Sequence, residues 1–339
     1  MTEQSQSPLV DAQTKFANQL KFRSLNSESV ALTDSLNRVA FEGIKAPIDS
    51  PPYARAIVEG YLVNTAETSS ADDNNKVSFA IKGEINPGDE TADAPASGTG
   101  TLVATGSLIP AGDYSIVRMW EAEIDGDNFS ISRPFAPGFF IEAQGCDIEK
   151  NSVVVNAGDI ISPEIICTLA SLGINEVSVA KMPKVTVFAS GDEVIHHTSA
   201  FKPGYIFDCN SPMLNAAIED AGGVAVSGGI QSDDFDKFAA TLKTALSNSD
   251  MIVIAGGTAV GGRDFISDLL RETGELILDG VQMRSGRPLI MGTSEGKPIV
   301  CVAGHPPEAL RGFKLFGVMA IDHLTGHSKN LPADPLNAN

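Results

Sequence analysis

The second half of the sequence alternates between short apolar, β-branched runs and longer amphipathic segments. The run KVTVFAS at 184–190 and the run DMIVIAGG at 250–257 read as buried strands, and segments with helical spacing follow them. Such alternation is typical of an α/β domain whose mostly parallel sheet is covered on both faces. Ligands of these sheets bind beyond the carboxyl ends of the strands. The sequence therefore predicts an α/β domain from residue 183 onward, with its site at those ends.

Two other patterns precede this domain. Short strand-like runs between Gly, Pro and Asp turns predict a small β domain over about residues 62–142. Residues 9–44 carry apolar side chains at helical spacing, which predicts a helical N-terminal region. A further helix is predicted after Ser162, a favourable N-cap that is followed by Pro163.

The charge balance excludes one class of partner. The 339 residues include 24 Lys and Arg against 43 Asp and Glu, a formal net charge of −19. A surface this acidic repels phosphate backbones, so we expect no nucleic-acid partner. The sequence shows neither a long apolar run nor an apolar N-terminal segment, so we expect no membrane partner, no secretory signal and a cytoplasmic location.

The four cysteines are widely spaced and form no C-x-x-C pair, which argues against a zinc ribbon or a redox motif. We interpret them as single buried thiols: Cys146, Cys167, Cys209 and Cys301.

A glycine loop follows the run at 250–257. Gly256, Gly257 and Gly261 stand between this strand and a helix that begins near Asp264. Glycines let backbone N–H groups approach an anion, and a helix start adds partial positive charge. The loop is neither a dinucleotide fingerprint nor a Walker A loop. It predicts phosphate binding, with an ordinary strand-to-helix turn as the alternative.

Polar residues also follow the run at 184–190. Ser190, Gly191, Asp192 and Glu193 place adjacent carboxylates at a strand end. These groups suit Mg²⁺ or a heterocycle, or form a solvated acidic turn. The residues at 208–211 precede a helix and are interpreted either as ligand contacts or as helix caps.

Two arginines and one histidine complete the candidates. Arg284 and Arg287 flank a Ser-Gly turn, and their planar guanidinium groups suit a tetrahedral oxyanion or, alternatively, surface ion pairs. His305 follows a strand end, while the five histidines show no zinc-binding pattern.

Taken in order, these segments resemble the MoeA family, the molybdopterin molybdenumtransferases, which include the gephyrin E domain. The resemblance spans about residues 30–320. The matching runs are SLNRVAFEGIKAPIDSPPYARAIVEGY, VATGSLIPAGDYSIVRM, QGCDIEKNSVVVNAGDIISPEIICTLASLGINEVSV, KVTVFASGDEV, GYIFDCNSPMLNAAIEDAGG, DMIVIAGGTAVGGRDF, MRSGRPLIMG and VAGHPPEAL.

The resemblance implies a domain organisation and a reaction. The implied domains are a helical domain at 8–45 and 145–182, an inserted β domain at 46–144, a molybdopterin-binding α/β domain at 183–327, and a tail at 328–339. The implied substrates are adenylylated molybdopterin and molybdate, and molybdenum is inserted with release of AMP. A homodimer and contacts with other cofactor-biosynthesis proteins are implied as well.

The resemblance also assigns roles to residues. Glu193 and Asp264 are implied to hold Mg²⁺, and Glu59 and Asp147 are implied to act with them in catalysis, supplied by the partner subunit. The implied ligand-binding residues are Ser190, Gly191, Asp192, Asp208, Asn210, Ser211, Gly256, Gly257, Gly261, Arg284, Arg287, Pro288, Gly304 and His305.

The sequence departs from the family pattern at several of these sites. Residues 54–60 have lost most polar side chains of their motif, and residues 142–144 have lost an arginine-rich run. Cys146 replaces a glutamate, and Glu308 stands where the family has a small hydroxyl donor. A carboxylate beside a dianion is electrostatically unfavourable. Only twelve residues follow His327, so the family's C-terminal β domain is not expected.

These departures leave two other functions open. One is a binding or scaffolding protein in cofactor delivery that does not insert metal. The other is an enzyme that acts on a different pterin or nucleotide, with His305 as its acid or base.

Overall fold

The computed structural model describes residues 8–21, 24–232, 234–256, 265–281 and 289–327. They form two compact units. The β unit comprises Ile44–Val154 and Cys167–Ile174. The α/β unit comprises the described residues up to Gly43, Val155–Ile166 and those from Asn175 onward. The three-domain boundaries given above stay a prediction.

The regular elements are numbered in chain order. The helices are α1 Pro8–Ala17, α2 Pro163–Ser171, α3 Asn210–Asp220, α4 Phe235–Asn248, α5 Phe265–Thr273, α6 Pro306–Gly312 and α7 Val318–Thr325. The strands are β1 Ser27–Ala31, β2 Ile44–Lys45, β3 Arg55–Ala56, β4 Gly60–Asn64, β5 Val77–Ile85, β6 Thr99–Val103, β7 Tyr114–Arg118, β8 Glu123–Asp125, β9 Asn128–Ile131, β10 Ile141–Glu142, β11 Val153–Val155, β12 Glu176–Ala180, β13 Lys184–Ser190, β14 Val194–Ile195, β15 Ile206–Phe207, β16 Val224–Gln231, β17 Met251–Gly256, β18 Glu275–Asp279, β19 Ile290–Ser294 and β20 Lys297–Val302.

Six strands of the described chain form the sheet of the α/β unit, in the order β16-β13-β17-β20-β19-β18. β13 pairs in parallel with β16 and β17, and β17 pairs in parallel with β20. β19 runs antiparallel to both β20 and β18. Helices α3 and α4 make the long connections that parallel neighbours require. The predicted α/β fold with a mostly parallel sheet is confirmed.

The central strand β17 explains how this sheet is held. All its residues are buried. Met251 and Val253 pack into the hydrophobic cluster on one face, and Ile252 and Ile254 pack into the cluster on the other. Because side chains alternate along a strand, a run that is apolar throughout requires cover on both faces. The hydrophobic clusters on the two faces of the sheet thereby fix the positions of the strands and of their carboxyl ends.

The predicted helix over residues 9–44 is wrong beyond Ala17. α1 ends there, and its Phe16 packs edge-on against Phe316 with ring centroids 6.0 Å apart. Val30 lies in β1, which pairs antiparallel with β12. Burial alternates along β1 with the period of a strand, but the strand that pairs with it lies far along the chain. Local apolar spacing carries no signal of such a partner.

The β unit contains a sheet of six described strands in the order β7-β4-β6-β5-β9-β8. Its pairs are antiparallel except for β5 with β6. Phe129 is 1% exposed, and its ring stacks with Tyr61 at 4.3 Å and with Phe79 at 5.4 Å. The predicted β architecture of this region is confirmed, and an aromatic cluster forms its core.

Two further expectations concern burial and membranes. Cys301 is buried, but Cys146, Cys167 and Cys209 are exposed, so the prediction of buried thiols is wrong for three of the four. The apolar character of cysteine does not report which face of a helix or turn it occupies. Within the described ranges, no helix has the length and apolar character needed to cross a membrane.

An ion-pair network in the β unit predicts a dependence of stability on pH. Glu121 accepts hydrogen bonds from Arg118 at 2.8 Å and from Arg133 at 2.5 Å, and its side chain is 17% exposed. Chiefly the Arg118 hydrogen bond, with that of Arg133, lowers the pKa of Glu121 to about 2. A carboxyl whose pKa is depressed by folding stabilises the protein above its unfolded pKa, and this contribution is lost as pH falls toward the folded value.

We therefore expect Glu121→Gln to lower the free energy of unfolding by about 1–2 kcal/mol at pH 7. This value is already reduced for solvent screening, because both arginines are partly exposed. The difference from wild type should shrink as pH falls from 4.5 to about 2. Urea unfolding across this pH range measures it. A difference that does not change with pH would contradict the assignment to Glu121.

Candidate functional site

The ends of β13, β17 and β20 come together in the α/β unit. Ser190 and Gly256 are paired residues at the ends of adjacent parallel strands. A Cβ at Gly256 would lie 2.6 Å from the Ser190 carbonyl oxygen, and Gly256 has φ of +95°. A Cβ at Gly304, just after β20, would lie 3.7 Å from Gly256 Cα. The structure therefore brings these three predicted residues together with no room for a side chain at Gly256.

The turn after β13 is also tightly packed, with no room for a side chain at Gly191. The Gly191 N–H donates to the Gln231 carbonyl oxygen at 3.2 Å. Gly191 has φ of +148°, and a Cβ there would lie 2.9 Å from Glu193 Oε2. Ser190 is buried, whereas the side chains of Asp192 and Glu193 are exposed. Two carboxylates thus stand in solvent beside a tightly packed backbone turn.

Residues 194–207 form a loop between the turn after β13 and α3, and hydrogen bonds join its two arms. The Ile206 N–H donates to the Glu193 carbonyl oxygen at 2.9 Å, and the Asp208 N–H donates to that of Ile195 at 2.7 Å. Asp208 Oδ1 accepts from the Ser211 N–H at 3.0 Å, so this carboxylate caps α3. The capping alternative therefore explains Asp208 and Ser211.

Asn210 is held differently. Its Nδ2 donates to the Gly304 carbonyl oxygen at 2.7 Å, which ties the start of α3 to the end of β20. Its Oδ1 is buried and has no hydrogen-bond partner among the described residues. A buried acceptor without a partner costs free energy unless a ligand or water satisfies it. Asn210 is therefore a candidate ligand contact.

We call the group formed by Ser190–Glu193, Asn210, Gly256 and Gly304–His305 the strand-end site. His305 is exposed, and its carbonyl oxygen accepts from the Glu308 N–H at 3.1 Å, in the first turn of α6. Glu308 is half-buried there. Its carboxylate thus belongs to the helix turn that opens directly after Gly304.

Several predicted site residues cannot be placed. Those that lie outside the described residues are Gly257, Gly261, Asp264, Arg284, Arg287 and Pro288.

The remaining candidates belong to the β unit. The ligand atoms of Glu142, Cys146 and Asp147 lie within 4.8 Å of one another. Arg55 Nε donates to Glu142 Oε2 at 2.5 Å across the β3–β10 pair. Partial desolvation, and then the charges of Asp147 and Glu142, raise the pKa of the Cys146 thiol. The thiol is therefore protonated at neutral pH. Glu59 is exposed just before β4.

Sequence reasoning missed Arg55. The Glu142 hydrogen bond, foremost, raises the pKa of its guanidinium. A signal was present in the sequence: Arg55 and Glu142 have opposite charges, and each lies in a segment that departs from the family pattern. The paired Arg55 guanidinium also interacts with the charge of Asp147.

Comparisons with known proteins agree with this architecture. A family profile described as the MoeA N-terminal region, domains I and II, matches residues 7–173. A second, described as a probable molybdopterin binding domain, matches residues 186–323. A molybdopterin molybdenumtransferase of Staphylococcus aureus is 29% identical over 327 residues, which cover 96% of this chain and 77% of the relative.

A solved structure gives the same result. The crystal structure of a molybdopterin biosynthesis MoeA protein from Pyrococcus horikoshii matches with a TM-score of 0.81 at 30% identity, covering 94% of this chain and 80% of that one. Fold and sequence together define an α/β protein of the molybdopterin-binding-domain class with an additional β unit. The chain belongs to the MoeA family of molybdenum cofactor biosynthesis proteins.

Proposed function

We propose that this protein binds molybdopterin or adenylylated molybdopterin at the strand-end site, and inserts molybdenum from molybdate with release of AMP. The observation that carries the proposal is the close backbone approach of Ser190, Gly256 and Gly304 on three neighbouring strand ends. Such backbone lets a ligand reach main-chain N–H groups. Family membership and the relative named molybdopterin molybdenumtransferase support this choice of ligand.

The chain's own groups have separate tasks in this proposal. Asn210 Oδ1 accepts a hydrogen bond from an N–H group of the ligand, which satisfies a buried acceptor. Arg284 and Arg287 hold the oxyanion through their planar guanidinium groups. Rate enhancement comes from positioning and electrostatic stabilisation, with no covalent nucleophile on the protein.

We assign Mg²⁺ to Glu193 and Asp264. Glu193 offers an exposed carboxylate, and Mg²⁺ prefers such oxygen ligands. When bound, Mg²⁺ neutralises phosphate charge. The cluster of Glu142, Cys146 and Asp147 suits Mg²⁺ less well, because it includes a soft thiol.

We further propose a cytoplasmic homodimer in which Glu59 of the partner subunit and Asp147 of the partner subunit complete the catalytic groups. The family resemblance supports this arrangement. Sedimentation velocity tests it: a monomer at micromolar concentration would overturn it.

One observation favours a second function, ligand binding or delivery without metal insertion. Glu142 is paired with Arg55, and the neighbouring thiol of Cys146 is protonated. These groups supply less charge for metal or phosphate chemistry than free carboxylates would.

One assay separates the two functions. Purified protein is mixed with adenylylated molybdopterin, Mg²⁺ and molybdate, and AMP release and retention of the pterin are followed. AMP release with formation of molybdenum cofactor supports insertion. Retention without AMP supports the binding function, and the absence of both would overturn the two proposals together.

Glu308 provides a prediction within this assay. We expect Glu308→Ser to raise molybdate affinity roughly fivefold, because it removes a half-buried negative charge beside the strand-end site. Glu219→Ser is the matched control, since it changes net charge equally at the far end of α3. Isothermal titration with molybdate measures both. Equal effects of the two variants would contradict a local role for Glu308.

A further inference from the structure

One segment next to the strand-end site has an unusual composition. Residues 194–207, which we call the aromatic segment, contain Phe201, Tyr205, Phe207, two histidines and Lys202, and no acidic residue. The chain as a whole carries a net charge of −19 and only 6% aromatic residues. The aromatic segment is thus an aromatic stretch with one positive and no negative charge in an acidic protein.

Its large apolar side chains are exposed. Phe201 is 72% exposed, Ile206 57% and Phe207 41%, and the Phe201 and Phe207 rings lie 6.5 Å apart. Adjacent exposed apolar side chains are characteristic of interaction sites. The ring of Tyr205 is already covered by Lys202 Nζ at 4.1 Å, whereas most of the Phe201 ring stays open to solvent.

The segment is anchored at both ends to the strand-end site. Two hydrogen bonds join its start to its end beside the site: the Ile206 N–H donates to the Glu193 carbonyl oxygen, and the N–H of Asp208, whose carboxylate caps α3, donates to that of Ile195. β14 and β15 pair in parallel and hold the two arms of the segment together. The next residue but one, Asn210, is bonded to Gly304. The aromatic rings are therefore carried on a loop whose two ends belong to the site itself.

We propose that the aromatic segment stacks against the planar heteroaromatic ring of the ligand bound at the strand-end site, with Phe201 as the principal platform. The inference rests on the proposed function and specifies which part of the ligand the segment contacts. An exposed phenyl ring offers a π-face to a purine or a pterin, and the single positive charge of Lys202, with no acidic residue in the segment, suits an anionic ligand.

The test uses the full chain and three probes: AMP, D-ribose 5-phosphate and neopterin, titrated by calorimetry. We expect Phe201→Ala to weaken binding of the ring-bearing probe roughly tenfold and to leave the affinity for D-ribose 5-phosphate unchanged. Phe201→Tyr, which keeps the ring, should bind as wild type does. An effect on AMP alone identifies adenine as the stacked ring, and an effect on neopterin alone identifies the pterin.

Trp120→Ala is the matched control, because Trp120 is also 72% exposed but belongs to the β unit. Phe201→Trp in a Trp120→Phe background adds an optical readout, since purines and pterins quench a stacked indole. Unchanged affinity of Phe201→Ala for AMP and neopterin, when wild type binds them, would overturn the stacking inference alone. Wild-type protein that binds none of the probes would overturn the proposed function as well.

Discussion

Gly256→Ala is expected to lower the unfolding free energy of the α/β unit by about 3 kcal/mol and to abolish ligand binding at the strand-end site. Two effects combine. The φ of +95° is unfavourable for alanine, and the new Cβ would lie 2.6 Å from the Ser190 carbonyl oxygen. Because the backbone fixes the position of the Cβ and the oxygen it meets is a backbone atom, relief requires β13 and β17 to separate at the site.

Gly229→Ala distinguishes the two effects. Gly229 has φ of +77° in the same sheet, but a Cβ there would meet no atom within 4 Å. It should cost about 1 kcal/mol and leave binding intact. Urea unfolding and calorimetric titration with AMP measure both variants. An equal loss of unfolding free energy in Gly256→Ala and Gly229→Ala would contradict a steric contribution from the Ser190 carbonyl oxygen.

Phe129→Ala is expected to destabilise the β unit by about 4 kcal/mol. The substitution removes the ring that stacks with both Tyr61 and Phe79, in a cluster that is closed to solvent. Since Glu59 and Asp147 belong to this unit, AMP release should be lost with its fold. The α/β unit has its own two clusters, so binding of AMP at the strand-end site should persist.

The control for this variant is Trp120→Ala in the same unit. It also removes a large aromatic side chain, but from a position that is 72% exposed, so it should cost no more than about 0.5 kcal/mol. Thermal unfolding monitored by circular dichroism compares the two. If Phe129→Ala lost AMP binding and AMP release together, the independence of the two units would be refuted.

The α/β sheet was predictable because its strands can be recognised from local sequence patterns. β17 is an uninterrupted apolar run, and the residues that follow β13 and β20 mark the strand ends by glycine and polar side chains. Ser190, Gly256 and Gly304 could therefore be placed at one edge by topology alone. Their close contact follows from parallel pairing, which the alternation of strands and helices already required.

Other features depend on contacts that local patterns do not contain. β1 has five residues and takes its strand character from β12, so apolar spacing around Val30 predicted a helix instead. The Arg55–Glu142 pair joins two short strands that are separated by most of the β unit. Both features depend on tertiary contacts between residues that are far apart in the sequence.

The packing of α1 has a consequence for how the chain is made. Phe16 lies against Phe316, and Gln13 Nε2 donates to the Leu315 carbonyl oxygen at 3.1 Å, so α1 contacts residues that are synthesised long after it. The β unit draws most of its residues from the single stretch Ile44–Val154. During synthesis it can close its core early, because domains fold as their residues emerge. The α/β unit, in contrast, can complete the packing of α1 only after Leu315 and Phe316 have been synthesised.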